Sequence, residues 1–93
     1  MRAIPAVEVG YARRMTVTVA VRLNGALAER LGARRSVTLP DGATADDLVR
    51  ELRDEAGVEL ANVVVAVDGR VVGGSAVLAD GAAVAVLVPY AGG

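Results

Sequence analysis

Only one stretch of the chain keeps its apolar residues at helical spacing over three turns. Ala45, Leu48, Val49, Leu52 and Ala56 fall at i, i+3, i+4, i+7 and i+11, a single stripe along a helix. Thr44 stands where an N-cap belongs, and Asp47, at the third helical position, makes a variant of the capping box. Asp46 and Asp47 also place negative charge at the positive end of the helix. Arg50, Glu51, Arg53 and Asp54 fill the opposite face, and Gly57 ends the helix. One amphipathic helix cannot bury its stripe alone, so the rest of the chain must supply the surface that covers it.

That surface reads as strands. Thr16–Arg22 alternates, with Val17, Val19 and Val21 on one face, as in a half-buried strand. Leu23, Leu27 and Leu31, at i, i+4 and i+8, mark Leu23–Gly32 as a short helical connection closed by glycine. Ser36–Leu39 is a second strand, left through the turn Pro40-Asp41-Gly42. After the main helix, Val63–Val67 is a continuous apolar run, the pattern of a strand covered on most of its surface. Asp68-Gly69 turns it into Arg70-Val71-Val72. Val77-Leu78 leads to a turn at Asp80-Gly81, and Ala83–Val88 alternates small alanines with valines as the last strand. The class is α+β: a mixed sheet of about five strands on one main helix. A crossover through the helix brings the first and last strands together in parallel at the centre, the β-grasp or ubiquitin-like arrangement.

Three segments follow: residues 1–14, which show no sustained period and read as a flexible extension or an alternative start; the β-grasp domain 15–88; and a protruding tail, 89–93. Ninety-three residues make one small domain with a Val-, Ala- and Leu-rich core, since the chain has no Phe and no Trp.

Composition removes most chemistry. The chain has no Cys and no His, so thiolate nucleophiles, imidazole bases, disulfides and the usual zinc sets are excluded; no metal site is expected. All ten basic residues are Arg, which leaves no side-chain amine for Schiff-base or isopeptide chemistry. A net charge of −1 gives no electrostatic case for nucleic acid or an anionic membrane. The apolar runs 60–67 and 82–91 are far shorter than the ~20 residues of a membrane span, and the N-terminus lacks the apolar core of a signal peptide. A cytoplasmic location is the expectation.

The candidate sites thin out in the same way. Asp46/Asp47 and Asp54/Glu55 are adjacent carboxylates, but a helix cap and a solvated helix face account for them. Gly73-Gly74-Ser75 lacks the flanking pattern of a phosphate loop, and Ser75 has no histidine to activate it. Nothing supports an enzyme acting alone.

One group is left, the α-carboxylate of Gly93. Adenylated by ATP it becomes an acyl donor, and a sulfur nucleophile then converts it to a thiocarboxylate. Gly92 and Gly93 have no side chain to block a narrow channel. Pro89 stops the strand, lacking an N–H. Tyr90 either anchors the tail on a partner or covers the sheet edge.

The hairpin Asp68-Gly69-Arg70 after an apolar strand, the turn Leu78-Ala79-Asp80-Gly81 and a last strand running into Pro89-Tyr90-Ala91-Gly92-Gly93 occur in that order. With them, residues 15–93 resemble the ubiquitin-like sulfur carriers (MoaD/ThiS-like), closest to the small subunit of molybdopterin synthase. The resemblance implies that Gly93 is adenylated by an E1-like adenylyltransferase and carries the sulfur, with no cofactor bound and ATP used by that partner. A sulfur donor of desulfurase or rhodanese type would load it. The large synthase subunit would pass the sulfur to precursor Z during molybdenum-cofactor synthesis. Gly92 and Ala91 would thread the tail, and Val88, Pro89 and Tyr90 would line the docking surface. Carriers for thiamine thiazole, cysteine or other thio-metabolites also end in Gly-Gly, and a non-reactive β-grasp interaction module is the alternative of a different class.

Overall fold

The computed structural model describes residues 15–59 and 62–89. Its elements are β1 (Thr16–Leu23), α1 (Gly25–Leu31), β2 (Arg34–Pro40), α2 (Ala45–Ala56), β3 (Val64–Val67), β4 (Arg70–Val72) and β5 (Ala83–Leu87). They form one five-stranded sheet in the order β2-β1-β5-β3-β4. β1 and β5 pair in parallel at its centre, and every other pairing is antiparallel. The expected β-grasp fold, with one main helix and one short one, is what forms.

Alternation sets the faces. Val17, Val19, Val21 and Leu23 of β1 point inward and are buried, as are Val84 and Val86 of β5 and Val37 and Leu39 of β2. They join Leu48 and Leu52 of α2, Leu27 of α1 and Leu78 in one continuous core. The stripe of α2 behaves as its spacing requires: Ala45, Leu48, Leu52 and Ala56 are buried and Val49 half-buried.

Both ends of α2 are closed. Asp47 N–H donates to Thr44 Oγ1 at 3.2 Å, and Thr44 N–H donates to Asp47 Oδ2 at 2.9 Å, a reciprocal capping box. The loop after β4 supplies the other acceptors: Ala45 N–H reaches Ala76 O and Asp46 N–H reaches Gly74 O, both at 2.9 Å. Gly74 and Ala76 therefore turn carbonyls onto the helix N-terminus, the reverse of an anion cradle. At the other end Gly57 takes φ +70° and donates to Arg53 O at 2.8 Å.

Two boundaries and the covering of one strand differ from the sequence expectation for tertiary reasons. Leu23 belongs to β1, where it pairs with Val86, and not to the helix its spacing with Leu27 matches. β2 starts two residues early, at Arg34, because the hairpin with β1 runs from Thr16↔Pro40 to Arg22↔Arg34. The run 63–67 is not covered on both faces: Val65 is buried, but Val64 is 37% exposed, since the helices cover only one side of the sheet.

Candidate functional site

The sequence points to the chain's end, so the site is the end of β5 and whatever holds it. On one side β3 secures β5, with Val65 opposite Val86 and Val64 opposite Leu87. On the other, β1 pairs with it in parallel up to Leu23↔Val86. Two tight turns aim the strand. In the Asp68-Gly69 hairpin both central residues have positive φ, +50° and +86°, matching the primed turn that follows strand twist. Asp68 N–H then donates to Ala83 O at 2.7 Å, and Asp68 Oδ1 accepts from Ala83 N–H at 3.1 Å. In the turn before β5, Asp80 Oδ1 accepts from Thr18 N–H and Gly81 N–H donates to Thr18 O, both at 2.8 Å.

Beyond Leu87 the support changes in kind. β1 has already turned toward α1, through Gly25 at φ +58°. Val88 is held instead by the side chain of Asn24: Val88 N–H donates to Asn24 Oδ1 at 2.6 Å, and Asn24 Nδ2 donates to Val88 O at 3.2 Å. Val88 is half-buried and packs against the core, whereas Pro89 is exposed. Having no N–H, Pro89 cannot extend any ladder, so regular pairing ends here by chemistry. Of the site residues expected from sequence, Val88 and Pro89 thus form the base of the tail. Tyr90, Ala91, Gly92 and Gly93 lie outside the described residues, as do residues 1–14.

Asn24 was invisible to the sequence reading. Directly before a short helix it looks like an N-cap, and its extended backbone (φ −134°, ψ 176°) fits that position. Its side chain makes no cap hydrogen bond to α1, and its partner is 64 residues away.

The sheet's outer face adjoins this base. One rung crosses all five strands, from Arg34 through Arg22, Ala85 and Ala66 to Val71. Small side chains leave a shallow concavity of about 650 Å³ on this side. Next to the tail base the exposed pair Val64 and Leu87 adds an apolar edge.

The other carboxylates serve structure. Asp47 completes the capping box and also pairs with Arg50 at 3.1 Å, while Glu55 pairs with Arg35 at 2.6 Å. The hydrogen bonds from Thr44, backbone first and hydroxyl second, hold the Asp47 carboxyl below its ordinary value. Among the described residues no group of three or more acidic, His or Cys side chains is placed to hold a metal ion, and no helix is long and apolar enough to cross a membrane.

Known proteins share this architecture. The ThiS family model matches residues 21–93. A candidate molybdopterin converting factor subunit 1 from Pyrococcus furiosus superposes with a TM-score of 0.69 at 29% identity, over 80% of this chain and 99% of that one. The HVO 2177 protein of Haloferax volcanii gives 0.70 at 29% identity, over 86% and 90%. Small archaeal modifier protein 1 of Haloferax volcanii gives 0.67 at 21% identity, over 80% and 99%, a likeness of fold. No curated protein sequence matches the chain. With the family model spanning most of the domain and running to the final glycine, the chain belongs to the ThiS family of ubiquitin-fold sulfur carriers.

Proposed function

We propose that this chain carries sulfur as a thiocarboxylate on Gly93 and delivers it to precursor Z, as the small subunit of molybdopterin synthase. The observation that carries the reading is the way the last strand ends. β5 is held by β3 up to Leu87 and by β1 and then the Asn24 side chain up to Val88, Pro89 has no N–H for further pairing, and the sequence continues as Tyr90-Ala91-Gly92-Gly93. The last two residues of that segment carry no side chain, and the Gly93 α-carboxylate is the group this reading assigns to transfer.

The reaction belongs to partners. An E1-like adenylyltransferase joins a Gly93 carboxylate oxygen to the α-phosphorus of ATP, releasing pyrophosphate. The persulfide sulfur of a desulfurase- or rhodanese-type donor then displaces AMP at the carbonyl carbon, and a second thiol on the partner cleaves the resulting acyl disulfide, leaving the thiocarboxylate on Gly93 and a disulfide on the partner. This chain's share is presentation: Gly92 and Ala91 thread the channel, while Val88, Pro89 and Tyr90, beside the exposed Val64 and Leu87, meet the rim of the partner. ATP is consumed by the activating enzyme, no cofactor is held here, and the whole cycle fits the cytoplasm.

The family match supports a second acceptor with the same chemistry, a thiazole, cysteine or other thio-metabolite pathway. Incubation with the cognate adenylyltransferase, ATP and a sulfur source is expected to replace one oxygen by sulfur in the intact mass of the chain. Adding the large synthase subunit and precursor Z should then reverse that change and yield molybdopterin. Failure of the first step sinks the carrier reading, and failure of only the second moves the chain to another acceptor. A single residue appended after Gly93 separates a carrier from a non-reactive module: the carrier loses sulfur exchange with its fold intact.

A further inference from the structure

We infer that Asn24 is a positioning residue for the tail, its carboxamide acting as the last rung of the β1–β5 ladder and fixing where and in which direction residues 89–93 leave the domain. The inference rests on the carrier reading above.

Three observations lead to it. First, the parallel register runs out: β1 is paired through Leu23↔Val86, and the backbone then departs into α1 while the other chain continues. Val88 therefore has a free N–H and C=O with no strand left on that side to meet them. Second, Asn24 supplies what a peptide group would, one acceptor to the Val88 N–H at 2.6 Å and one donor to the Val88 carbonyl at 3.2 Å. The backbone N–H only donates, so it dictates that Oδ1 faces it and that Nδ2 falls on the carbonyl. Third, the side chain does this while leaving the first turn of α1 without a side-chain cap, the usual use of an asparagine at that position.

The consequence is at the tail. Val88 is the last residue before Pro89, and the residue before a proline is confined to extended backbone. Clamping Val88 at both its N–H and its C=O thus fixes the vector on which the proline starts. Five residues, 89–93, then span at most about 17 Å when extended. Freeing Val88 lets the tail sweep many directions, and a partner's narrow channel must select one of them. That ordering cost falls on binding, so the signature is a higher KM at unchanged kcat.

The test uses the full chain with Asn24→Ala and Asn24→Asp. At neutral pH, amide exchange at Val88 is expected to accelerate about tenfold or more in Asn24→Ala, with Val84 and Val86 still protected as in the parent, and less in Asn24→Asp, which keeps an acceptor for the Val88 N–H and loses only the donor to its carbonyl. The ionised carboxylate of the Asn24→Asp variant offers only acceptors. Below about pH 4 its neutral carboxyl regains one donor and one acceptor, and the Val88 amide resonance should return toward its parent position. In adenylation by the activating enzyme, Asn24→Ala should show a KM several-fold higher with kcat unchanged, and Asn24→Asp a smaller rise in KM. Unchanged Val88 exchange in Asn24→Ala overturns the clamp. A freed Val88 with unaltered kinetics, or a lowered kcat at constant KM, overturns the positioning role. If the parent chain itself is never adenylated, the carrier reading fails and the positioning role falls with it, whatever the exchange data say of the clamp.

Discussion

Arg22 and Arg34 stand directly opposite one another on the antiparallel strands β1 and β2, both exposed on the open face of the sheet. Neither guanidinium has an ion-pair or side-chain hydrogen-bond partner among the described residues. Like charges placed opposite in a sheet repel, by about 0.2–1 kcal/mol on the scale of cross-strand pairs. Arg34→Glu should therefore raise the urea midpoint without changing the m-value, and adding Arg22→Glu to it should restore the repulsion and lower the midpoint again. A single charge reversal that leaves the midpoint where it was would show that the two guanidiniums already avoid each other.

The Asp68 side chain joins the β3–β4 hairpin to the start of β5, through the bond from Ala83 N–H, from a left-handed backbone position. Asn tolerates that backbone and offers the same acceptor, whereas Ala does neither. Asp68→Asn is expected to retain most of the stability, and Asp68→Ala to lose about 1–3 kcal/mol in denaturant titration, the range for an abandoned hydrogen bond with backbone strain. Equal losses in the two variants would place the role of Asp68 in its charge.

Acid should expose the capping box. The folded state holds the Asp47 carboxyl below its ordinary value of 3.8, chiefly through the Thr44 N–H and hydroxyl, with Arg50 adding to them. A depressed carboxylate pKa stabilises the fold above the unfolded value, and that contribution disappears as pH falls through the lower folded value. As pH falls from about 5 through the ordinary carboxylate value and below it, the parent should therefore lose stability more steeply than Asp47→Asn, which keeps an acceptor for the helix but cannot titrate. Parallel stability–pH curves for the two proteins would remove Asp47 from the acid response.

Where the sequence reading held, a local rule and a tertiary demand agreed. The period-two valines of β1, the stripe of α2, the capping box and the Asp68-Gly69 turn each follow from residues within a few positions of one another. The parallel pairing of β1 with β5 followed from connectivity, because two opening strands, a crossover helix and three later strands leave few ways to close one sheet. The misses have one physical origin, partners far away in sequence. Leu23 satisfies helical spacing with Leu27 as well as strand pairing with Val86, and the ladder wins because it buries Leu23 in the core. A run of valines at 63–67 cannot declare that only one side of its sheet carries helices. Asn24 has the local look of a helix cap, and only the arrival of Val88 reveals its other partner.

Scaffold and tail should separate cleanly under mutation. Leu52 is fully buried on the inward face of α2, within the core cluster shared with the sheet. Leu52→Ala should cost about 2–5 kcal/mol, transfer and cavity terms together, and lower Tm accordingly. Gly93 has no side chain to add to that core, so Gly93→Ala should leave Tm nearly unchanged while, on the proposed function, impairing sulfur transfer. On the proposed function the added methyl group would enter the partner's channel together with the terminus, and it restricts the backbone freedom that glycine allows. Differential scanning calorimetry beside intact-mass measurement of oxygen-for-sulfur exchange reads both quantities on the same samples. A Gly93→Ala chain that unfolds early would mean the tail is part of the scaffold. One that exchanges sulfur at the parent rate would mean the partner does not read the last residue's side.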